Sequence, residues 1–198
     1  MNIKDVISLI LFFTFVISYF MKLVLLSRKN EISANVLGKG NKPPATVIVE
    51  TAVKISSFCW AILWFLNSLG IGDYRSISFA RPVGWMGVIV AGIGLSVFIA
   101  AMLYMKTSWR VGIDKSTETS LVTNGIYRYS RNPAFTGFDL MFIGFMMMYP
   151  NLLALIVGVS NLIFFHLLII QEERHLKQTF GETYNRYVRD TPRYLWFI

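Results

Sequence analysis

Three short clusters in the last third of the chain hold residue types that bind ions and polar cofactors. The first is Gly125-Ile126-Tyr127-Arg128-Tyr129-Ser130-Arg131-Asn132-Pro133-Ala134-Phe135-Thr136-Gly137. Pro133 suits the first position of a helix, where its missing N–H costs nothing. It also pushes Asn132 out of helical geometry into a cap-like conformation. The free N–H groups of such a helix and its positive dipole end suit a carboxylate or phosphate, and Arg128 and Arg131 add charge-assisted donors. The same residues equally describe an ordinary capped helix with arginines on lipid phosphates, and both readings stand.

The second cluster is Gln171-Glu172-Glu173-Arg174-His175-Leu176, directly after an apolar run. Adjacent helical acids point about 100° apart, so one faces inward while the other meets solvent or a neighbouring lysine. Glu173 shares a face with His166, seven residues earlier, and also stands four residues before Lys177. The first spacing favours an inward Glu173 and the second an outward one, so the geometry does not decide. His166 sits inside an apolar run, where an ionisable group is a functional candidate by default, although hydrogen bonding to a neighbouring helix also accounts for it. The third cluster is Phe180-Gly181-Glu182-Thr183-Tyr184-Asn185-Arg186-Tyr187. Gly181 marks the end of one helix and Glu182 the start of another. Tyr184 and Tyr187, a turn apart, read first as an interfacial aromatic belt and second as pocket walls.

The elements that position these clusters are membrane helices. Apolar residues make up 55% of the chain and charged residues 15%, against about 25% charge in a soluble domain. The apolar residues fall in long runs, each near the roughly 20 residues that cross a bilayer core. These are 6–26, 46–69 and 83–105, then 133–149 and 151–170, divided by Pro150. The proline should break the helix, giving a helical hairpin. The first run is too long for a signal-peptide core and lacks a cleavage site, so it reads as a retained span. In the second run, Glu50 and Lys54 lie four residues apart and can pair. The third is rich in small residues, including Gly84, Gly87, Ala91, Gly92 and Gly94, which suits close helix packing. Residues 171–198 read as an amphipathic helix and an irregular tail. The expected fold is therefore all-α and integral to the membrane, with about five spans. Residues 1–105 form three N-terminal helices and 106–198 a C-terminal region with the hairpin and tail.

Basic residues alternate across the loops. The first carries Arg28, Lys29, Lys39 and Lys42; the second Arg75 and Arg81; the third Lys106, Arg110, Lys115, Arg128 and Arg131; the tail Arg174, Lys177, Arg186, Arg189 and Arg193. The positive-inside rule puts the third loop and the tail together in the cytoplasm. It also accounts for the net charge of +8 without nucleic acid as a partner. The single cysteine, Cys59, excludes an intramolecular disulfide and a Cys-based zinc site, and two histidines argue against a histidine-rich metal site.

Asn124-Gly125-Ile126-Tyr127, Arg131-Asn132-Pro133, Glu172-Glu173 and Phe180-Gly181-Glu182-Thr183-Tyr184 together resemble the isoprenylcysteine carboxyl methyltransferase family and, in outline, the phospholipid methyltransferases. The resemblance covers residues 107 to the C-terminus. It implies an S-adenosylmethionine-dependent methyltransferase with no metal. The cofactor would be bound by Tyr127, Arg131, Asn132, Pro133, Phe135, Glu172, Glu173 and Tyr184, with Arg131 and Glu173 in catalytic roles. The chain departs from the eukaryotic pattern: Asn132 stands where histidine is usual, as in bacterial relatives, and Phe135 where tyrosine is usual. Asn132 can hydrogen-bond but cannot titrate. The implied setting is a bacterial inner membrane, with membrane lipids around the protein and the site on the cytoplasmic side. There a lipophilic methyl acceptor would enter from the bilayer. Methyl transfer from a sulfonium needs mainly positioning, a carboxylate acceptor needs no base, and the faces of Tyr127 and Tyr129 suit the cationic donor. Two other readings are weighed: a membrane sterol or steroid reductase using NADPH, whose motif Ala134-Phe135-Thr136-Gly137 does not match, and a non-enzymatic small membrane protein.

Overall fold

The computed structural model describes residues 2–30, 35–38, 42–71, 81–113 and 120–195. Their regular structure is helical: α1 (Ile3–Asn30), α2 (Pro44–Ser68), α3 (Arg81–Tyr104), α4 (Pro133–Met148) and α5 (Leu152–Asp190), with short 3-10 turns at Lys106–Ser108 and Gly125–Arg128. Four of these helices, all but α4, are long and apolar enough to cross a bilayer. On α1 the large side chains Ile10, Phe13, Ile17 and Phe20 are exposed, as only a hydrocarbon surround tolerates in such density. The chain is an all-α, multi-pass integral membrane protein. Among the expected loop charges, Lys39, Arg75 and Lys115 lie outside the described residues.

The tightest packing in the bundle follows from four glycines. Gly87 and Gly94 on α3, seven residues apart, oppose Gly144 and Gly137 on α4, also seven apart. A Cβ at Gly94 would stand 2.7 Å from the Gly137 carbonyl oxygen, and one at Gly137 would stand 2.7 Å from that of Gly94. The two backbones therefore touch directly, as small residues permit in membranes. The expectation of close packing holds through Gly87 and Gly94. Gly84 and Gly92 take less part: the nearest atom to a Cβ is the Lys4 side chain at 3.4 Å for the first and Leu11 at 4.0 Å for the second. Gly94→Leu is expected to lower stability by at least about 1–3 kcal/mol, the range for overpacking, while Gly92→Leu should be nearly neutral. Thermal melting of both variants in one detergent checks the contrast.

One end of the bundle is closed by polar contacts. Trp64 Nε1 donates to Ser8 Oγ at 2.8 Å, Ser8 and Ser68 hydroxyls lie 2.9 Å apart, and Tyr149 OH donates to Ser68 Oγ at 3.1 Å. Lys4 Nζ donates to the Met148 carbonyl at 2.8 Å and satisfies the end of α4. The break at Pro150 is as expected. α4 stops at Met148, and Asn151 caps α5 by accepting from Ala154 N at 2.9 Å. Asn161 then ties α5 to α2 by accepting from Ser56 Oγ at 3.0 Å and donating to the Ser56 carbonyl at 3.1 Å.

At the opposite end, segments distant in sequence come together: residues 35–38 and 42, residues 105–113 and 120–132, and the end of α5 with residues 191–195. The part of α5 before its kink at Gly181 alone runs about 43 Å at 1.5 Å per residue, well beyond a core of about 30 Å. The helix therefore carries its polar second half out of the hydrocarbon. The amphipathic segment expected after residue 170 is a continuation of this helix. It bends at Gly181 (φ 51°, ψ −124°), the expected break point, and ends at Asp190.

Candidate functional site

The three ends enclose a cavity of ≈630 Å³, within the usual range for small-molecule sites. Its polar wall includes Tyr127, Arg131, Asn132, Glu172 and His175. Its apolar wall runs down the helices through Phe15, Tyr19, Val53, Trp60, Phe138 and Phe165. Tyr127 is buried. Burial raises its phenol far above the ordinary value, and the charges of Glu172 and Tyr187 add to this. It therefore stays a neutral aromatic donor.

Beside the cavity, Glu173 gathers the ends of three segments. Its carboxylate accepts from Asn132 Nδ2 at 2.8 Å, from Arg131 Nη2 at 3.2 Å and from Arg193 Nη2 at 2.8 Å. The bond to Glu173 raises the Arg193 guanidinium further above its ordinary value. Backbone contacts stitch the same segments: Arg131 N donates to the Pro192 carbonyl at 2.9 Å, Ser130 Oγ to the Arg193 carbonyl at 2.9 Å, and Tyr187 OH to the Tyr127 carbonyl at 2.6 Å. A carboxylate so fully bonded is a rigid joint.

A second carboxylate fixes the other wall. Glu50 is fully buried and accepts from Gly38 N at 2.7 Å, Lys42 Nζ at 2.8 Å and Ile113 N at 2.9 Å. It binds two loops to α2. The loops also meet each other, with Val36 N donating to the Val111 carbonyl at 3.0 Å in an isolated parallel bridge. Gly112, at φ +93°, lets them approach: a Cβ there would lie 3.0 Å from Leu37 N and 3.1 Å from Glu50 Oε1.

The sequence-derived candidates divide between cavity and frame. Tyr127, Arg131, Asn132, Phe135 and Glu172 line the cavity. Pro133, Glu173 and Tyr184 do not; all three are buried in the protein beside it. Asn132 starts α4, but its side chain makes no capping bond, because its amide is drawn to Glu173. Of the two acids, Glu172 faces the cavity while Glu173 faces its protein partners. Tyr184 and Tyr187 are both buried, so they are internal and not an interfacial belt. Tyr129 is 65% exposed and off the cavity, which removes it as an aromatic wall. His166 shares a hydrogen bond of 2.7 Å with Tyr194 OH and lies outside the cavity. The expected pair of Glu50 with Lys54 is replaced by Glu50 with Lys42, whose loop folds back over α2. Sequence reasoning missed Trp109, Trp60 and the α1 aromatics of the apolar wall. The ring-bearing positions of α1 at Phe12, Phe15 and Tyr19, spaced three and four apart, were the available signal.

A cofactor with both polar and apolar parts suits these walls. Glu172 offers an acceptor for hydroxyl or amino groups. Trp109 lines the cavity with a buried indole Nε1 that has no hydrogen-bond partner among the described residues, as a donor reserved for a ligand would be.

Comparison with known proteins gives its relatives. Protein-S-isoprenylcysteine O-methyltransferase B of Arabidopsis thaliana is 29% identical over 119 residues, covering 55% of this chain and 60% of the relative. Protein-S-isoprenylcysteine O-methyltransferase of Xenopus laevis is 31% identical over 124 residues, covering 60% of this chain and 43% of the relative. A probable protein-S-isoprenylcysteine O-methyltransferase of Oryza sativa subsp. indica is 29% identical over 158 residues, 78% of this chain and 81% of the relative. The match thus spans less than two thirds of the Arabidopsis and Xenopus proteins. The family model described as phospholipid methyltransferase matches residues 83–183, a stretch that contains most of α3, all of α4, the polar cavity wall and both acids, and the chain belongs to that family.

Proposed function

We propose that the protein is an S-adenosylmethionine-dependent methyltransferase that methylates a nucleophile, foremost a carboxylate, on a lipophilic acceptor. The observation that carries this is a cavity with two kinds of wall: polar groups at one end of the bundle, and aromatic groups at membrane depth on α1, α2, α4 and α5. The names of the relatives favour O-methylation and a prenylated cysteine as acceptor.

When bound, S-adenosylmethionine supplies an electrophilic methyl group on a sulfonium. This chain's residues do the rest. Glu172 accepts hydrogen bonds from the polar groups of the donor and favours its positive charge. The Tyr127 ring presents an aromatic face to that charge. Arg131 and Asn132 shape the polar wall, with Glu173 holding both in place as a positioning residue. Phe135, Phe138 and Phe165 exclude water and hold the acceptor's apolar part. An acceptor carboxylate would already be ionised and would take the methyl group without a base, so no residue of this chain would have to move a proton. The site lies on the cytoplasmic side, where the donor is made, and the basic loops support that orientation.

The reaction is tested by incubating purified protein with methyl-labelled S-adenosylmethionine and either an S-prenylcysteine or phosphatidylethanolamine. Base-labile label in the prenylcysteine is expected; label only in the phospholipid would overturn carboxylate methylation. For orientation, reporter fusions after Ile198 and within residues 72–80 should report opposite sides, and the same side at both would contradict the topology.

A further inference from the structure

Lys54 stands four residues after Glu50 on α2 and by spacing should pair with it. Lys42 and two backbone N–H groups fill both Glu50 oxygens. Lys54 is left with no hydrogen bond or ion pair among the described residues. It lines the cavity together with Val53, Ser57, Phe58 and Trp60. It lies ten residues into α2, about 15 Å along the helix at 1.5 Å per residue. Lys54 is exposed and lies one turn past the Glu50 joint, and an ionisable group on the cavity side of a membrane helix is a candidate ligand site.

The other charges of the cavity do not meet this need. Arg131 is bonded to Glu173, and Arg110 donates to the Thr107 and Trp109 carbonyls. Glu172, on α5, is the acid of the cavity wall, and the reading above assigns it to the donor. Lys54 lies before residue 83, outside the stretch that the family model matches.

We propose that Lys54 is the binding site for the anionic group of the acceptor, which makes the preferred acceptor an amphiphile with a carboxylate at one end of an apolar tail. The inference rests on the methyltransferase reading and adds the residue that selects the acceptor. The carboxylate sits on Lys54 while the tail lies along Phe15, Trp60 and Phe165. Loss of the ammonium removes the preference for anions without disturbing the donor wall.

The test uses the full-length protein in zwitterionic nanodiscs with S-adenosylhomocysteine present. A dibrominated fatty acid and its neutral amide quench the fluorescence of Trp60 and Trp109 on entering the cavity. The wild type should bind the acid about tenfold more tightly than the amide, as a charge-assisted contact implies. Lys54→Met should equalise the two and leave the amide unchanged; Lys54→Arg should keep the preference. An equal preference in wild type, or one that survives in Lys54→Met, overturns the proposal. So does an effect of Lys54→Met that appears only in anionic nanodiscs, which would assign the lysine to lipid phosphate. Affinity for S-adenosylhomocysteine, titrated in the same samples, separates the two claims. If it binds and the acid preference is absent, only the Lys54 assignment fails; if it does not bind, the methyltransferase reading fails.

Discussion

Glu173→Ala is expected to destabilise the protein by about 3–5 kcal/mol, the usual cost of removing one partner from a buried ion pair. The variant strands the Arg131 guanidinium, whose side chain is only 9% exposed, and frees the Asn132 amide. It also disconnects Arg193 and so loosens residues 191–193 from the start of α4. Glu172→Ala should behave differently. Glu172 faces the cavity, and its replacement leaves that joint intact. Its melting temperature should stay near wild type, while its affinity for S-adenosylmethionine should fall by about tenfold, as for loss of one charge-assisted contact. Affinity for S-adenosylhomocysteine should fall less, because the product has no sulfonium charge. Melting curves and titrations of both variants check the split. A Glu172→Ala protein that unfolds early and binds normally would reverse the two roles.

Glu50→Ala should be as damaging, by a route that begins in the half of the chain outside the family match. Glu50 is wholly buried and the Lys42 side chain is 4% exposed. Alanine leaves a buried ammonium and two backbone N–H groups at Gly38 and Ile113 without an acceptor. The expected loss is again about 3–5 kcal/mol. The bridge between residues 36 and 111 should open with it, and with that bridge one wall of the cavity. The charge component is isolated by Lys42→Met with Glu50→Gln. That pair keeps an acceptor for one of the two backbone groups, which meet different Glu50 oxygens, and removes the buried ions, so it should recover part of the loss. Melting of the single and double variants measures this. A double variant no more stable than Glu50→Ala would mean that the ion pair is not what holds the loops.

The helices were legible because long apolar runs, Pro150 and Gly181 report on local backbone physics. The meeting of the 125–137 segment with residues 171–187 was legible from loop charge and shared motifs. The partners of individual side chains were not. Glu50 and Lys54 satisfy the helix spacing rule, yet a lysine eight residues earlier in the chain takes the carboxylate, because the loop before α2 folds back. Asn132 satisfies the capping rule, yet Glu173, 41 residues away, offers its amide a charged acceptor. A charged partner outweighs a local cap, and its approach depends on how α4 and α5 pack. Two adjacent acids cannot be ranked from helical periodicity alone. The tail decides, since Arg193 and the 130–132 segment both close on Glu173 and leave Glu172 to the cavity.

On the function proposed, the cavity wall formed by Tyr127, Asn132 and Glu172 binds an S-adenosyl cofactor. Calorimetric titration of the purified protein with S-adenosylhomocysteine and, separately, NADPH tests it most directly. Saturable one-to-one binding of S-adenosylhomocysteine, weakened in Glu172→Ala, and no heat from NADPH are expected. Binding of NADPH without S-adenosylhomocysteine, or S-adenosylhomocysteine affinity unchanged in Glu172→Ala, would contradict it.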